Sequence, residues 1–311
     1  MLPPAFHRDP SGLERIIVPA VLAYAAGDAF GVQYEFCGPP GQEIRQEIRE
    51  KPGWPRGAVS DDTLLSILTI DSLARGEPEA SALCFIELLR EAVPRLRGLG
   101  PTTRTALGLP VSAEEAGVVG QTNGAMMRTA LAGLSFAPDK RAQRRAWIAA
   151  SARATHSHPR AIACAVLLSA AFSEATRPRE RLDTGAIARV IEQEARDFRG
   201  SPPELLRSLA AAQDWLPPAG GVSLDPLETL LAVLWSLRGG RSCAEVFAKA
   251  CSLGGDTDTV AALAGALFTA WHWRDHGFFG IEWLEDVQWR EIPQLIDAAY
   301  ALLRRREAAH E

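Results

Sequence analysis

Apolar residues recur every three to four positions along most of the chain, the spacing of a single buried helix face. The pattern predicts helices over 14–33, 61–75, 79–93, 124–135, 140–154, 159–175, 184–198, 203–213, 226–238, 242–251, 257–273 and 292–308. Ala and Leu fill these segments, with Glu and Arg on the outward positions. Alternating runs of β-branched residues are nearly absent, so no sheet is expected. Clusters of Gly and Pro break the pattern at 37–41, 51–57, 98–101, 176–181 and 217–226, which read as loops. No long low-complexity linker and no fixed-period repeat interrupts the pattern. The expectation is an all-α protein with one compact domain over 1–311, in which the Arg- and Pro-rich stretch near 176–181 is a surface excursion.

Composition narrows the field of functions. With 311 residues, 47% hydrophobic and 23% charged, the chain can bury a large core and does not have a disordered composition. The net charge of −5 gives no electrostatic footprint for nucleic-acid binding. An acidic protein that handles a phosphate-bearing ligand must offset its own field locally, with helix N-termini, metal ions or single basic residues. Five widely spaced cysteines, Cys37, Cys84, Cys164, Cys243 and Cys251, include no CxxC pair. They point to buried thiols in a reducing compartment, and a cytoplasmic monomer is the expectation. No apolar run is expected to reach the roughly 20 residues of a membrane span. Residues 16–26 follow Arg8 and Arg15 and contain Ala23-Tyr24-Ala25, which mimics a signal-peptidase site. Asp9 and Glu14 cancel the arginines and Pro19 interrupts the run, so no secretory signal is expected.

Chemistry concentrates in five segments. Gly254-Gly255-Asp256-Thr257-Asp258-Thr259 precedes the apolar run 260–270. Capping of a helix accounts for one Asp there. Two carboxylates before an apolar helix carry a desolvation cost that a bound cation would offset, so capping and metal binding both fit. Ser60-Asp61-Asp62-Thr63 repeats the pattern ahead of Leu64 and Leu65. Ser60 suits an N-cap and the two Asp suit a first turn. If the two helix ends converge, four carboxylates repel one another unless cations bridge them, and oxygen-only donors favour Mg²⁺, Mn²⁺ or Ca²⁺ over zinc. Asp28, among the small residues of 25–31, reads as a hydrogen-bonded structural carboxylate, and Glu35 as either a solvated loop acid or a general base. Thr122-Asn123-Gly124-Ala125-Met126-Met127-Arg128 reads as a turn and an anion-friendly helix start, with Arg128 facing a phosphate or a structural Asp. In Thr155-His156-Ser157-His158-Pro159 no third nitrogen or sulfur donor lies nearby for zinc, so a histidine at a helix entry is expected to contact a ligand or a carbonyl.

Gly27-Asp28…Gly31, Ser60-Asp61-Asp62-Thr63, Asn123-Gly124-Ala125-Met126-Met127-Arg128, Thr155-His156 and Gly255-Asp256-Thr257-Asp258-Thr259, in this order, resemble the ADP-ribosylglycohydrolase family. The resemblance covers nearly the whole chain. It implies an orthogonal helical bundle that binds two Mg²⁺ or Mn²⁺ ions through Ser60, Asp61, Asp62, Asp256, Asp258 and Thr259. It implies catalytic work for Glu35, Asp61, Asp62 and Asp256, and substrate binding by Asp28, Asn123, Gly124, Ala125 and His156. The implied reaction is hydrolysis of the N- or O-glycosidic bond between ADP-ribose and an acceptor, carried on an ADP-ribosylated protein or a small molecule. Arginine-directed members place an acid shortly before the Asn-Gly turn, whereas this chain has Val119-Gly120-Gln121-Thr122 there, which counts against an arginine linkage. Two alternatives remain: a non-catalytic, ADP-ribose-binding or structural member of the same fold, and another dimetal hydrolase such as a phosphoesterase, whose sites usually mix in histidine.

Overall fold

Helix α1, Glu14–Gly31, is apolar on every side, and every residue from Ile16 to Gly31 is buried. A helix of that kind has to lie inside the molecule. Its main neighbour is α13, Thr257–Trp271, buried along its whole length. The two approach closely because the facing positions carry no side chain. A Cβ on Gly27 would lie 2.5 Å from the Ala261 carbonyl oxygen, and one on Gly31 would lie 2.4 Å from the Asp258 Cα. The Thr257 hydroxyl closes the seam by donating to the Gly31 carbonyl at 2.9 Å.

The computed structural model describes residues 12–40, 43–177 and 184–308. Around the α1–α13 pair stand α2 (Asp61–Leu73), α3 (Pro78–Ala92), α7 (Arg141–Arg153), α8 (Pro159–Ala175), α9 (Thr184–Asp197), α10 (Pro203–Ala210), α11 (Pro226–Leu237), α12 (Cys243–Cys251) and α14 (Gln294–Ala308). Helix α12 lies on α13, α14 on α1 and α2, and α8 on α7 and α9. One cluster of buried apolar side chains runs from Ile16 to Leu302. Among the described residues the only β pairing is two isolated bridges, Lys51–Trp54 and Val222–Gly255, so the all-α expectation holds.

Differences from the sequence reading are local. The helix expected over 124–135 is a short α6, Gly124–Thr129, followed by a 3₁₀ turn over Ala130–Ser135. The turn sits where Gly133 presses on the α8 backbone, with room for no Cβ beside Ser169. The stretch after residue 98 holds two helices too short to show a period, α4 (Pro101–Ala106) and α5 (Ala113–Ala116). Three 3₁₀ turns between Phe278 and Glu291 were also not expected. Most of the expected excursion at 176–181 lies outside the described residues. The expectation that no apolar run reaches membrane-spanning length needs correcting. Glu14–Tyr34 is 21 residues long with a mean hydropathy of 1.5, but 94% of its most apolar window is buried against the rest of the protein. Its hydropathy is that of a central core helix. None of the five cysteines is in a disulfide, and Cys164, Cys243 and Cys251 are buried.

The seam predicts the outcome of one substitution. Gly31→Ala gains up to ~1 kcal/mol of helix propensity. Its methyl collides with backbone that cannot rotate away, an overpacking cost of roughly 1–3 kcal/mol. Net destabilisation in urea unfolding is expected, and a neutral or stabilised variant would show that α1 and α13 part freely.

Candidate active site

The head of α2 is capped without help from Asp61 or Asp62. Ser60 is the N-cap, and its Oγ accepts from the Asp62 N–H at 3.1 Å. From α1, the Asp28 carboxylate, 0% exposed, accepts from the Ser60 N–H at 2.9 Å, the Thr63 N–H at 3.1 Å and the Thr63 hydroxyl at 2.6 Å. Asp28 is thus a structural anchor of the α2 terminus. It is absent from the cavity wall described below, which argues against the substrate-binding role expected of it. Burial pushes its carboxyl up to about 6 even with these donors.

The head of α13 is shaped by two glycines. Gly254 and Gly255 have φ of 67° and 74°, a conformation only glycine adopts freely. They thread between two neighbouring segments. The Phe36 N–H donates to the Gly255 carbonyl at 2.7 Å, the Gly255 N–H to the Cys37 carbonyl at 2.8 Å, and the Val222 N–H to the Gly254 carbonyl at 3.0 Å. Asp256 follows as the N-cap residue, but its side chain makes no capping bond. Asn123 holds it instead. The Asn123 amide donates to Asp256 Oδ2 at 2.5 Å and to the Thr229 hydroxyl at 2.8 Å. The capping reading of Asp256 therefore fails, while Asn123 acts on the site by orienting a carboxylate.

These two helix ends meet. Asp61, Asp62, Asp256, Asp258, Thr259 and Glu35 line one cavity of about 220 Å³. One oxygen each from Glu35, Asp256 and Asp258 lie within 4.8 Å of one another. Burial, then the charges of neighbouring acids, drives the Asp61, Asp62 and Asp258 carboxyls far above the usual range. Asp256 is pushed up to about 7, first by burial, with the Asn123 hydrogen bond partly opposing. Asp62 Oδ2 and Asp258 Oδ1 are buried without any hydrogen-bond partner. Orphaned carboxylate oxygens are costly, and a donor set made only of oxygens fits hard divalent cations. Glu35 stands among these donors and is also paired with Lys51 at 2.9 Å, a partner the sequence reading missed.

The remaining expected residues fall in two groups. Asn123 and Gly124 line the cavity, and Ser60, Ala125 and His156 sit behind it. His156 belongs to a buried relay. Arg128, 1% exposed, donates to the Thr155 hydroxyl at 2.9 Å, which lies 2.8 Å from His156 Nδ1. Because Arg128 can only donate, the Thr155 hydrogen turns to Nδ1, and Nε2 carries the ring proton toward the Thr122 hydroxyl at 3.0 Å. Thr122 passes its own hydrogen to Thr102 at 2.9 Å. Burial, then Arg128, lowers His156 to about 3, so the ring is neutral. Arg128 meets neither a phosphate-facing surface nor a structural Asp. Hydroxyls, the Ser151 carbonyl and the Phe85 ring at 4.0 Å hold it. Arg104 and Glu115 also line the cavity and are bonded to each other, and Arg104 is the one basic side chain on its described wall. Neither showed a sequence signal, because short loop helices bring them there. The wall thus does carry an acid ahead of the Asn-Gly turn, eight residues away in Glu115.

The sequence model of the ADP-ribosylglycohydrolase family matches residues 9–309. The chain is 29% identical to the ADP-ribosyl-[dinitrogen reductase] glycohydrolase of Rhodospirillum rubrum, over 91% of this chain and 95% of that one. It is also 29% identical, with the same coverage, to an uncharacterized protein of Archaeoglobus fulgidus. A solved structure titled as an ADP-ribosylglycohydrolase-related protein complex superimposes with a TM-score of 0.72 at 26% identity, over 94% of this chain and 99% of that one.

Two outcomes follow from the site's electrostatics and its relay. In cation-free protein Asp28 and Asp256 keep their protons to about 6 and about 7, whereas the unfolded chain releases them near 4. The folded state binds more protons across that window, so stability falls as pH rises from about 4 to about 7. Added Mg²⁺ should raise the melting temperature more at pH 8 than at pH 5; an equal shift at both would contradict the scheme. Thr155→Val strips a partner from both Arg128 and His156 and should cost about 1–3 kcal/mol in chemical denaturation, with Thr155→Ser near neutral.

Proposed function

The chain belongs to the ADP-ribosylglycohydrolase family, and we propose that it is a cation-dependent hydrolase of the N- or O-glycosidic bond between ADP-ribose and an acceptor. The acceptor is a protein side chain or a small molecule. The convergence of Asp61–Asp62 with Asp256–Asp258 on one cavity, with orphaned oxygens on Asp62 and Asp258, carries the reading. Asp61, Asp62, Asp256, Asp258 and Thr259 would hold two Mg²⁺ or Mn²⁺ ions, with Ser60 at the edge of the set. Such ions supply positive charge that orients sugar hydroxyls and lowers the pKa of a bound water.

The chain's own residues do the rest. Glu35, on a loop end braced by Lys51, would accept the proton of the attacking water. Cleavage builds positive charge on the sugar ring. Asn123 fixes the direction in which Asp256 presents its oxygens. Arg104 is the one basic side chain on the described wall, so a diphosphate bound there would have to share it with or draw it from Glu115, and binding that remote group would help to orient the reacting bond. Glu115 places a carboxylate on the same wall, which keeps a cationic acceptor such as arginine within the substrate range. The name of the Rhodospirillum rubrum relative says that it acts on an ADP-ribosylated protein, which supports ADP-ribose as the shared moiety.

The test is release of ADP-ribose from arginine-linked, serine-linked and ester-linked substrates in parallel, with Mg²⁺ and with Mn²⁺. Turnover of at least one is expected. Asp61→Ala and Asp256→Ala should abolish both turnover and cation binding, and full activity after EDTA treatment would defeat the proposal.

A further inference from the structure

Phe36 is the only described non-glycine residue in the left-handed region, with φ of 57°. A side chain with a bulky Cβ substituent avoids that region, and where one is found its surroundings hold it there. Here the restraint is visible. The Phe36 N–H is bonded to the Gly255 carbonyl at 2.7 Å, the Gly255 N–H to the Cys37 carbonyl at 2.8 Å, and the Cys37 N–H to the Tyr34 carbonyl at 3.2 Å. The same bonds lock the loop to the segment that delivers Asp256. Core packing does not explain the residue, because its side chain is left 69% exposed while lining the acidic cavity. Its neighbours behave differently: Phe30 and Tyr34 are buried and lie 6.0 Å apart, and Phe30 stacks on Trp283 at 4.5 Å. Among the described residues Phe36 has no aromatic partner.

A strained, exposed aromatic on the wall of a charged cavity is a surface kept for a ligand. Its position sets which part. Glu35, the adjoining residue, shares the carboxylate cluster with Asp256 and Asp258, where the bond would break. Phe36 lines the same cavity as this cluster, which puts the ring on the wall shared with the reacting end. Resting on the hydrolase reading above, we propose that Phe36 is a specificity-determining residue that packs against the leaving group, selecting acceptors with a flat or apolar face. A guanidinium over the ring, or the methylene stem of an acceptor side chain, meets that description.

The experiment uses the full chain with Mg²⁺ and three variants, Phe36→Gly, Phe36→Ala and Phe36→Trp. Affinity is read by calorimetry for free ADP-ribose and for arginine-linked and serine-linked ADP-ribose, using Glu35→Gln protein, which keeps the ion-holding aspartates and removes the proton acceptor, wherever turnover intervenes. Loss of the ring should weaken the tighter of the two acceptor-linked compounds about tenfold. Free ADP-ribose should bind unchanged, and the Trp variant should stay within about twofold of wild type. Stability should move the other way. Glycine relieves the backbone, so Phe36→Gly should melt at or above the wild-type temperature. A residue that merely props up the fold would lower the melting temperature and leave the affinity ratio alone, which would overturn the proposal. So would equal weakening of free ADP-ribose, or wild-type protein that binds neither acceptor-linked compound more tightly than free ADP-ribose. Wild-type protein that binds these compounds but releases no ADP-ribose from any substrate would refute the hydrolase reading while leaving the role of Phe36 measured.

Discussion

Everything at the candidate site answers to one constraint, the crowding of acids in a space with little water. Four aspartates and two glutamates line a cavity smaller than many ligand pockets, and burial alone penalises the charge of each aspartate before the acids begin to repel one another. Protons or cations must neutralise such a cluster. The rest of the architecture keeps the cluster from relaxing apart. The glycine seam brings α1 against α13, Asp28 reaches from α1 to pin the head of α2, and Gly254 and Gly255 fix the direction from which Asp256 enters.

Positive charge is placed around this cluster with restraint. Lys51 meets Glu35, and Arg104 lines the same cavity already bonded to Glu115. Arg128, on α6 itself, is fully buried, with no carboxylate among its hydrogen-bond partners. A fully buried arginine supported only by hydroxyls, a carbonyl and a ring is unusual, since buried charges are normally paired. Its field reaches the cavity through Thr155, His156 and Thr122, whose hydrogen bonds all run in one consistent direction. The relay fixes the orientation of Thr122 on the cavity wall and leaves His156 nothing to titrate near neutral pH.

Much of this was readable in the residues, and the boundary of what was readable has a physical cause. Long apolar helices declare themselves by period, and each of the twelve expected segments contains a helix, though at 124–135 it is only the six residues of α6. The Asp pairs were visible because carboxylates before an apolar helix are anomalous whatever the fold. Whether the Asp side chains were caps was not decidable, because their helix ends are held by distant residues, Asp28, 32 positions before Ser60, and Asn123, 133 positions before Asp256. Asp28, Asn123, Gly124, Ala125 and His156 were grouped as one substrate-binding set, yet only Asn123 and Gly124 line the cavity, because the other three come from buried positions that sequence order alone does not reveal. Phe36, Lys51, Arg104 and Glu115 left no sequence signal. They sit on short helices and loop ends whose course depends on tertiary contacts, and no periodicity encodes such contacts. The family resemblance, by contrast, needed only the order of the motifs, and the match over residues 9–309 is consistent with it.

The pairing of α1 with α13 also bears on synthesis. Gly31 and the Thr257 hydroxyl that contacts it are 226 residues apart. On a ribosome adding roughly 5–20 residues per second, the first helix waits about ten seconds to most of a minute before its partner exists. During that interval its wholly apolar surface, buried on every side in the finished protein, has no native cover. The acidic cluster draws on residues from both sides of that interval, so it cannot assemble before residues 256–258 have been made.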